Sequence, residues 1–216
     1  KLPEHAGEAL KEAKFNESTF WLNQTCFWLN LFFELFLPLF YKKIKEMSTT
    51  TKIALITGGS RGLGKSMALA LAKKGINILL TYHSDHDAAS HVVAEIRALG
   101  QKAIAFQLDT RNTSQFEVFL NQVTDYLQQE TGSPNFDFLI NNAGTALYAP
   151  FEQVTLEQVD EIFDIHYKGV LYLTQKALPF LNNGGGIIWI NPIYFDRFFG
   201  LCFHKIRGRD THSIFS

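Results

Sequence analysis

The segment KIALITGGSRGLGKS, residues 52–66, decides the fold of this 216-residue chain. Its first part, KIALIT (52–57), is a short apolar run that ends at two glycines, which is typical of a buried β-strand. From Gly62 to Gly75 the apolar side chains recur at helical spacing, and the second of these glycines is a common helix end. The segment therefore predicts a strand, a glycine-rich turn and a helix in direct succession.

The alternation of strands and helices continues downstream. Short apolar runs predict further strands at 76–82, 103–108, 136–141 and 186–190. Helical spacing predicts helices over 85–99, 114–129 and 156–181. Strands that alternate with helices are joined by right-handed crossovers, and continuously apolar strands are buried on both faces. We therefore predict an α/β fold with a doubly wound parallel sheet, truncated after about the fifth strand.

The glycine-rich turn satisfies two nucleotide-binding motifs. Gly59, Gly64, Lys65 and Ser66 match G-x-x-x-x-G-K-S, the phosphate loop of nucleoside triphosphatases. Gly58, Gly62 and Gly64 match G-x-x-x-G-x-G, a variant of the dinucleotide fingerprint. Both motifs rely on glycines that let backbone N–H groups approach a phosphate at a helix N-terminus, where the helix dipole favours negative charge. The turn by itself is compatible with either ligand.

A second motif favours the dinucleotide. Asn141-Asn142-Ala143-Gly144 stands at the end of the predicted fourth strand. A triphosphatase would instead need an acidic residue at a strand end to hold magnesium, and further polar switch residues. The nearest candidate is Asp109, whose strand contains the polar Gln107. We keep a triphosphate-binding module that uses the segment 59–66 as the alternative interpretation.

With these two motifs in place, residues 47–190 resemble the short-chain dehydrogenase/reductase family, and the implied fold is a partial NAD(P)-binding domain of the Rossmann type. The resemblance implies that Gly58, Gly62 and Gly64 line the pyrophosphate. It also implies that Asp109 bonds the adenine, although a carboxylate there can equally cap the following turn. The cofactor-binding set that we predict is Gly58, Ser60, Arg61, Gly62, Leu63, Gly64, Asp109, Asn141, Ala143 and Gly144.

The choice between the two nicotinamide cofactors depends on charge near the adenosine ribose. NAD-specific proteins carry an acidic residue at the tip of the second strand, which accepts a hydrogen bond from the ribose 2′-hydroxyl. Here the tip is TYHS (81–84), and the first acid is Asp85. Arg61 and Ser60 are available to bind a 2′-phosphate. We therefore predict that NADP(H) is preferred and that NAD(H) is possible.

The catalytic part of the family pattern is missing. The resemblance implies hydride transfer between nicotinamide and the carbonyl or alcohol carbon of a small molecule, in proteins that are commonly homo-oligomeric. Members have a Ser after the fifth strand and then Tyr-x-x-x-Lys, but NPIY (191–194) follows here. The same spacing at Tyr41 and at Tyr172 precedes that point and is interpreted as chance. His166 occupies the position of the family's relay Asn in FDIHYKG (163–169), although a histidine on a helix can equally be structural. No other residue of this chain is predicted to be catalytic.

The tail, residues 191–216, has no amphipathic period. Shifted forward by one nucleotide, codons for residues 201–206 permit a Tyr-x-x-x-Lys. We therefore hypothesise that this tail is an out-of-frame translation of the missing catalytic helix, which makes the chain an inactive fragment.

Residues 1–46 have a different composition from the rest and form an aromatic-rich extension, which we interpret as sequence upstream of a natural start at Met47. The stretch 20–41 is long enough to span a bilayer, but polar residues interrupt it, so that a membrane segment is not favoured. The net charge of −1 argues against a nucleic-acid partner. The two cysteines have neither disulfide-framework nor zinc spacing, so we predict no metal and a reducing, cytoplasmic setting.

Overall fold

A computed structural model describes residues 51–146, 149–191 and 200–205, with the side chains of Phe151, Asn191 and 200–205 left out. Six strands form one sheet in the order β3-β2-β1-β4-β5-β6. They are β1 (Ile53–Ile56), β2 (Asn77–Tyr82), β3 (Ala103–Gln107), β4 (Phe136–Asn141), β5 (Leu181–Asn191) and β6 (Gly200–Lys205). The first five strands are mutually parallel. This confirms the predicted α/β fold of the Rossmann type.

The sixth strand differs from the prediction. β6 pairs with β5 in the antiparallel direction, with Gly186 opposite Lys205 and Asn191 opposite Gly200. The sequence predicts no element in this part of the tail, because the tail has no amphipathic period. The remaining tail residues, and with them most of the segment that the frame hypothesis concerns, lie outside the described residues, as does the extension 1–46.

The first three helices lie close to their predicted positions. They are α1 (Gly62–Ala72), α2 (His86–Ala98) and α3 (Phe116–Thr131). The carboxylate of Asp85 caps α2 by accepting a hydrogen bond from the Ala88 backbone N–H (2.9 Å). A 3₁₀ turn, Thr113–Gln115, leads into α3, which ends where Gly132 adopts a φ of 74°.

The single long helix predicted over 156–181 is wrong in detail. The structure divides this region into α4 (Leu156–Phe163), a π-helical segment (Asp164–Gly169), α5 (Val170–Ala177) and a 3₁₀ turn (Leu178–Phe180). The π segment accompanies a close approach of the helix to the loop after β3. A Cβ atom at Gly169 would overlap the carbonyl oxygen of Thr110. Apolar spacing does not reveal such a contact. β5 begins at Leu181, which is earlier than predicted. A further 3₁₀ turn, Phe151–Gln153, precedes α4.

The sheet is covered on both faces, which the parallel topology requires. All four residues of β1 are buried, and their side chains alternate between the two faces. Ile53 and Leu55 belong to a core cluster that includes side chains of α3 and α5, such as Phe116 and Leu173. The helices α1 and α2 contact β2 and supply further buried apolar side chains, such as Met67. Because the helices cover the faces of the sheet and not the strand ends, the carboxyl ends of β1 to β4 remain available for a site.

The opposite ends of the central strands are joined by a buried carboxylate. Asp137 accepts hydrogen bonds from the Lys52 ammonium (3.0 Å), the Ile53 backbone N–H (2.9 Å) and the Asn182 amide (3.2 Å). Asp137 is 4% exposed, and these three donors satisfy it from the start of β1 and from β5. This arrangement fixes the amino ends of β1 and β4 relative to each other.

Candidate functional site

The glycine-rich turn after β1 and the NNAG segment after β4 are in direct contact. The Thr57 hydroxyl accepts hydrogen bonds from the backbone N–H groups of Asn142 and Ala143, at 2.9 Å each. In return, the Asn142 amide donates to the carbonyl oxygens of Thr57 (2.9 Å) and Gly58 (3.0 Å). Two predicted motifs, separated by more than 80 residues, therefore form a single structure at the carboxyl edge of the sheet.

Two glycines make this contact sterically possible. Gly58 has a φ of 66°, and a Cβ atom there would lie 2.9 Å from the Cα of Ala143. A Cβ atom at Gly64 would overlap the carbonyl oxygen of Gly58 and lie 2.5 Å from the Asn142 amide nitrogen. The positions of these glycines in the motif are thus explained by close backbone approach as well as by turn geometry.

The N-terminus of α1 is left without a capping side chain. Arg61 is the N-cap residue in an extended conformation, and its side chain makes no capping hydrogen bond. The first turn of α1 also contains no acidic residue. The initial N–H groups of a helix have no intrahelical acceptor, and together with the helix dipole they favour an anion. The arrangement fits a phosphate at this helix end.

A cavity of about 390 Å³ lies over this helix end. It is lined by residues from the turn, the tips of β2 and β3, the NNAG segment and α4. All of the predicted cofactor residues line it except Gly62 and Asn141. Gly62 begins α1 with a φ of 55°, and Asn141 is buried with its amide 3.1 Å from the Thr174 hydroxyl. Both have a structural position beside the cavity.

Sequence reasoning missed Thr57 as an acceptor and several cavity residues that belong to no motif, among them His83, Arg111 and Glu161. Thr57 ends the first predicted strand directly before the glycines, where a buried hydroxyl is a usable signal. The other three come from three different elements, and no spacing pattern connects them.

Arg111 joins these elements at one end of the cavity. Its guanidinium bonds both oxygens of Asp109 (2.9 to 3.2 Å) and one oxygen of Glu161 on α4 (3.1 Å). The hydrogen bonds from the Arg111 side chain hold the pKa of Asp109 below its ordinary value, and the Arg111 backbone N–H and charge act in the same direction. Because the Arg111 N–H donates to Asp109 (3.0 Å), the carboxylate does cap the following turn, and its role toward an adenine stays a prediction.

Arg61 and Lys65 have different surroundings. The Arg61 side chain is exposed, lines the cavity and makes no ion pair with any described residue. Lys65, which a triphosphate loop would direct at its phosphates, lies 2.7 Å from the Glu95 carboxylate on α2. The triphosphate interpretation therefore has no support from this lysine, whereas Arg61 is available to an anionic ligand.

His166 lies beneath the NNAG segment and is 6% exposed. Its Nε2 atom is 2.8 Å from the carbonyl oxygen of Thr145 and 3.2 Å from the nitrogen of the same residue. The ring also packs against Gly144, where a Cβ atom would lie 2.5 Å from Cε1. The structure thus places His166 behind Gly144 and Thr145, which line the cavity, and a catalytic role for it stays untested.

Within 51–146, 149–191 and 200–205, no group of three or more His, Cys, Asp or Glu side chains is arranged to hold a metal ion. In the same ranges, no helix combines the length and the apolar character needed to cross a bilayer. The aromatic stretch 20–41 lies outside them.

Comparison with known proteins identifies the fold and the motifs together. The sequence profile described as short chain dehydrogenase matches residues 52–194. A hydroxynaphthalene reductase-like protein of Metarhizium robertsii is 32% identical over 146 residues, which are 68% of this chain and 52% of that protein. An oxidoreductase of Methylorubrum extorquens is 39% identical over 145 residues, 67% of this chain and 56% of its own length. The chain thus spans about half the length of the curated relatives that it matches.

Solved structures give the same result. The landomycin C-6 ketoreductase LanV with bound NADP and rabelomycin is similar with a TM-score of 0.61 at 31% identity, over 63% of this chain and 56% of that one. A short chain dehydrogenase from Burkholderia cenocepacia in complex with NADP has a TM-score of 0.57 at 34% identity, over 62% of this chain and 52% of that one. The sequence identity to both structures is high enough to indicate a relationship in sequence as well as in fold.

Proposed function

Because this chain belongs to the short-chain dehydrogenase/reductase family, we propose that it binds NADP(H) in the cavity over the N-terminus of α1. The protein that it represents is a reductase or dehydrogenase for the carbonyl or alcohol group of a small molecule. The nicotinamide would supply or accept the hydride when the cofactor is bound, and the residues described here hold the cofactor's adenosine and diphosphate portion.

The observation that carries this proposal is the hydrogen-bonded junction of Thr57 and Gly58 with Asn142 and Ala143, next to a helix end without a cap. The Gly58 carbonyl fills the space beside the Gly64 Cα atom, so the turn packs directly against the start of α1, and the uncapped N–H groups of that helix end are what a diphosphate needs. The residues therefore fit the cofactor on grounds that do not depend on the relatives.

Arg61 supports NADP(H) over NAD(H). It borders the cavity as an exposed cation without an ion pair among the described residues, while Arg111 is neutralised by Asp109 and Glu161. The first acid after the tip of β2 in the sequence is Asp85, whose carboxylate caps α2. Two solved structures with similarity to this chain contain NADP. A 2′-phosphate beside Arg61 is the arrangement that these contacts favour.

Catalytic turnover by this chain is a separate question from cofactor binding. We propose that the 216-residue chain binds the cofactor and does not carry out hydride transfer, because its sequence has no Ser directly after β5 and no Tyr-x-x-x-Lys in the expected place. The division into an extension (1–46), a cofactor domain (47–190) and an out-of-frame tail (191–216) belongs to the same proposal. We also propose homo-oligomerisation, which is common in the family, and a cytoplasmic setting, which the cysteine spacing supports.

Calorimetric titration of the full chain tests the proposal. We expect NADPH to bind, NADH to bind more weakly, and Mg-ATP to leave the NADPH isotherm unchanged. Carbonyl reduction is then assayed with a panel of ketones in the presence of NADPH, and no oxidation is expected. Absence of NADPH binding would contradict the cofactor assignment. Turnover that disappears on Tyr172→Phe would contradict the inactive state and give that exposed tyrosine a catalytic role.

A further inference from the structure

The contact between His166 and Thr145 includes two hydrogen bonds that cannot form at the same time. One ring nitrogen, Nε2, is within hydrogen-bond distance of both the N–H (3.2 Å) and the carbonyl oxygen (2.8 Å) of Thr145. A neutral imidazole nitrogen either carries a proton and donates, or carries a lone pair and accepts. Nε2 therefore satisfies one of the two Thr145 backbone groups at a time, and the tautomer of the ring decides which one.

The imidazole ring has little room to move away from the two Thr145 backbone groups. His166 is 6% exposed, and its Cε1 atom fills the space that a Cβ atom at position 144 would occupy. His166 also lies in the π-helical segment, which is held against the loop after β3 by the close approach of Gly169 to Thr110. The imidazole is thus fixed from two sides, whereas Gly144 and Thr145 are exposed and line the cavity.

We propose that His166 is a positioning residue that holds the cavity wall at Gly144 and Thr145 through a single ring nitrogen, so that the wall has two hydrogen-bonded states. In one state Nε2 accepts from the Thr145 N–H, and in the other it donates to the Thr145 carbonyl. A ligand that prefers one state of the wall shifts the tautomer population of His166. The effect on cofactor binding rests on the proposed function, but the two states of the wall do not.

Two variants separate hydrogen bonding from packing. In His166→Gln, the side-chain amide places a donor and an acceptor near the former Nε2 position, so both Thr145 groups can be satisfied together. His166→Phe keeps a ring against Gly144 and removes both hydrogen bonds. Hydrogen exchange at the Thr145 amide is measured by NMR on the full chain and both variants, with the buried Leu55 amide as the control for overall folding. The ¹⁵N shifts of the His166 ring report its tautomer.

We expect exchange of the Thr145 amide to be roughly two- to tenfold slower in His166→Gln than in the wild type, and faster than the wild type in His166→Phe. We also expect NADPH to change the His166 tautomer population and to bind roughly two- to tenfold more weakly to His166→Phe. Equal Thr145 exchange in the wild type and His166→Gln overturns the proposal, even if the Phe variant fails to fold. If NADPH does not bind but the exchange rates differ as stated, the proposed function fails and the role of His166 stands.

Discussion

The hydroxyl oxygen of Thr57 lies 2.9 Å from the backbone nitrogen of Asn142, although 85 residues separate the two along the chain. Thr57 directly follows the first strand of the sheet, and Asn142 directly follows the fourth. Since these strands are neighbours, the contact joins the turn that leads into α1 to the segment that forms the opposite wall of the cavity. The site is therefore built as one unit from two distant parts of the sequence.

Removal of the Thr57 hydroxyl tests that unit. Thr57→Val keeps the shape of a side chain that is 2% exposed, but leaves the N–H groups of Asn142 and Ala143 without their acceptor. We expect a loss of about 2–4 kcal/mol in the free energy of unfolding, measured with urea. Thr57→Ser retains the hydroxyl and should lose clearly less. A larger loss in Thr57→Ser than in Thr57→Val would mean that methyl packing, rather than the hydroxyl, is what matters.

Gly64→Ala should damage both folding and cofactor binding. The added Cβ overlaps the Gly58 carbonyl, so we expect about 1–3 kcal/mol lower stability and at least about tenfold weaker NADPH binding. Gly75→Ala is the matched control, because its φ of 86° is strained for alanine but no atom lies within 4 Å of the new Cβ. It should lower stability by about 1–2 kcal/mol and leave the dissociation constant of NADPH unchanged. Unfolding curves and calorimetry measure the two effects.

Arg61→Gln is expected to remove the preference for the phosphorylated cofactor. A charge-assisted hydrogen bond contributes about 1.5–3 kcal/mol, so NADPH binding should weaken by roughly 10- to 100-fold while NADH binding stays constant. Lys73→Gln, at an exposed position outside the cavity, makes the same change in net charge and should have little effect on either affinity. A similar weakening for both cofactors in Arg61→Gln would show that the guanidinium does not read the 2′-phosphate.

Arg111→Gln should raise the pKa of Asp109 toward its ordinary value of 3.8, since the hydrogen bonds from Arg111 are the main cause of its lowering. A carboxylate whose pKa is lowered in the folded protein stabilises the fold above its unfolded pKa and loses that contribution as the pH falls through the folded value. The stability difference between wild type and Arg111→Gln should therefore shrink below about pH 4. Carboxyl ¹³C NMR titration measures the pKa directly. Glu161→Gln, which removes the other partner of Arg111, should move it much less.

Lys52→Met tests the buried ion pair at the other end of the sheet. The Lys52 side chain is 14% exposed and that of Asp137 is 5% exposed, so the loss of one partner leaves a poorly solvated carboxylate with only neutral donors. We expect about 1.5–3 kcal/mol lower stability in urea unfolding. Lys102→Met breaks an exposed pair with Glu130 and should lose less than about 1 kcal/mol. Losses of similar size would argue that burial is not what distinguishes the Asp137 pair.

The parts of the fold that sequence reasoning predicted correctly are those that local backbone constraints determine. Gly58 and Gly64 are predictable because the turn and the close approach tolerate only glycine, and β1 is predictable because its burial on both faces requires a continuous apolar run. The NNAG segment could be placed beside the turn because parallel strands end at the same edge of a sheet.

The parts that were missed depend on contacts between distant segments. The π-helical segment accompanies the approach of Gly169 to Thr110, and nothing in the apolar period of 156–181 indicates it. The ion pair between Arg111 and Glu161 spans 50 residues and belongs to no motif. β6 pairs with a strand in the direction opposite to that of all the others, so the alternation of strands and helices cannot predict it.

The strands β1 and β4 are fastened to each other at both ends, by Asp137 on one side and by the Thr57 hydroxyl on the other. The turn is therefore rigid and already has its binding shape before a ligand binds. Little conformational entropy of the turn needs to be given up on association, so this part of the cost of binding is small. Preorganisation of this kind also means that a short cofactor fragment, such as adenosine 2′,5′-bisphosphate, should bind with high efficiency per atom.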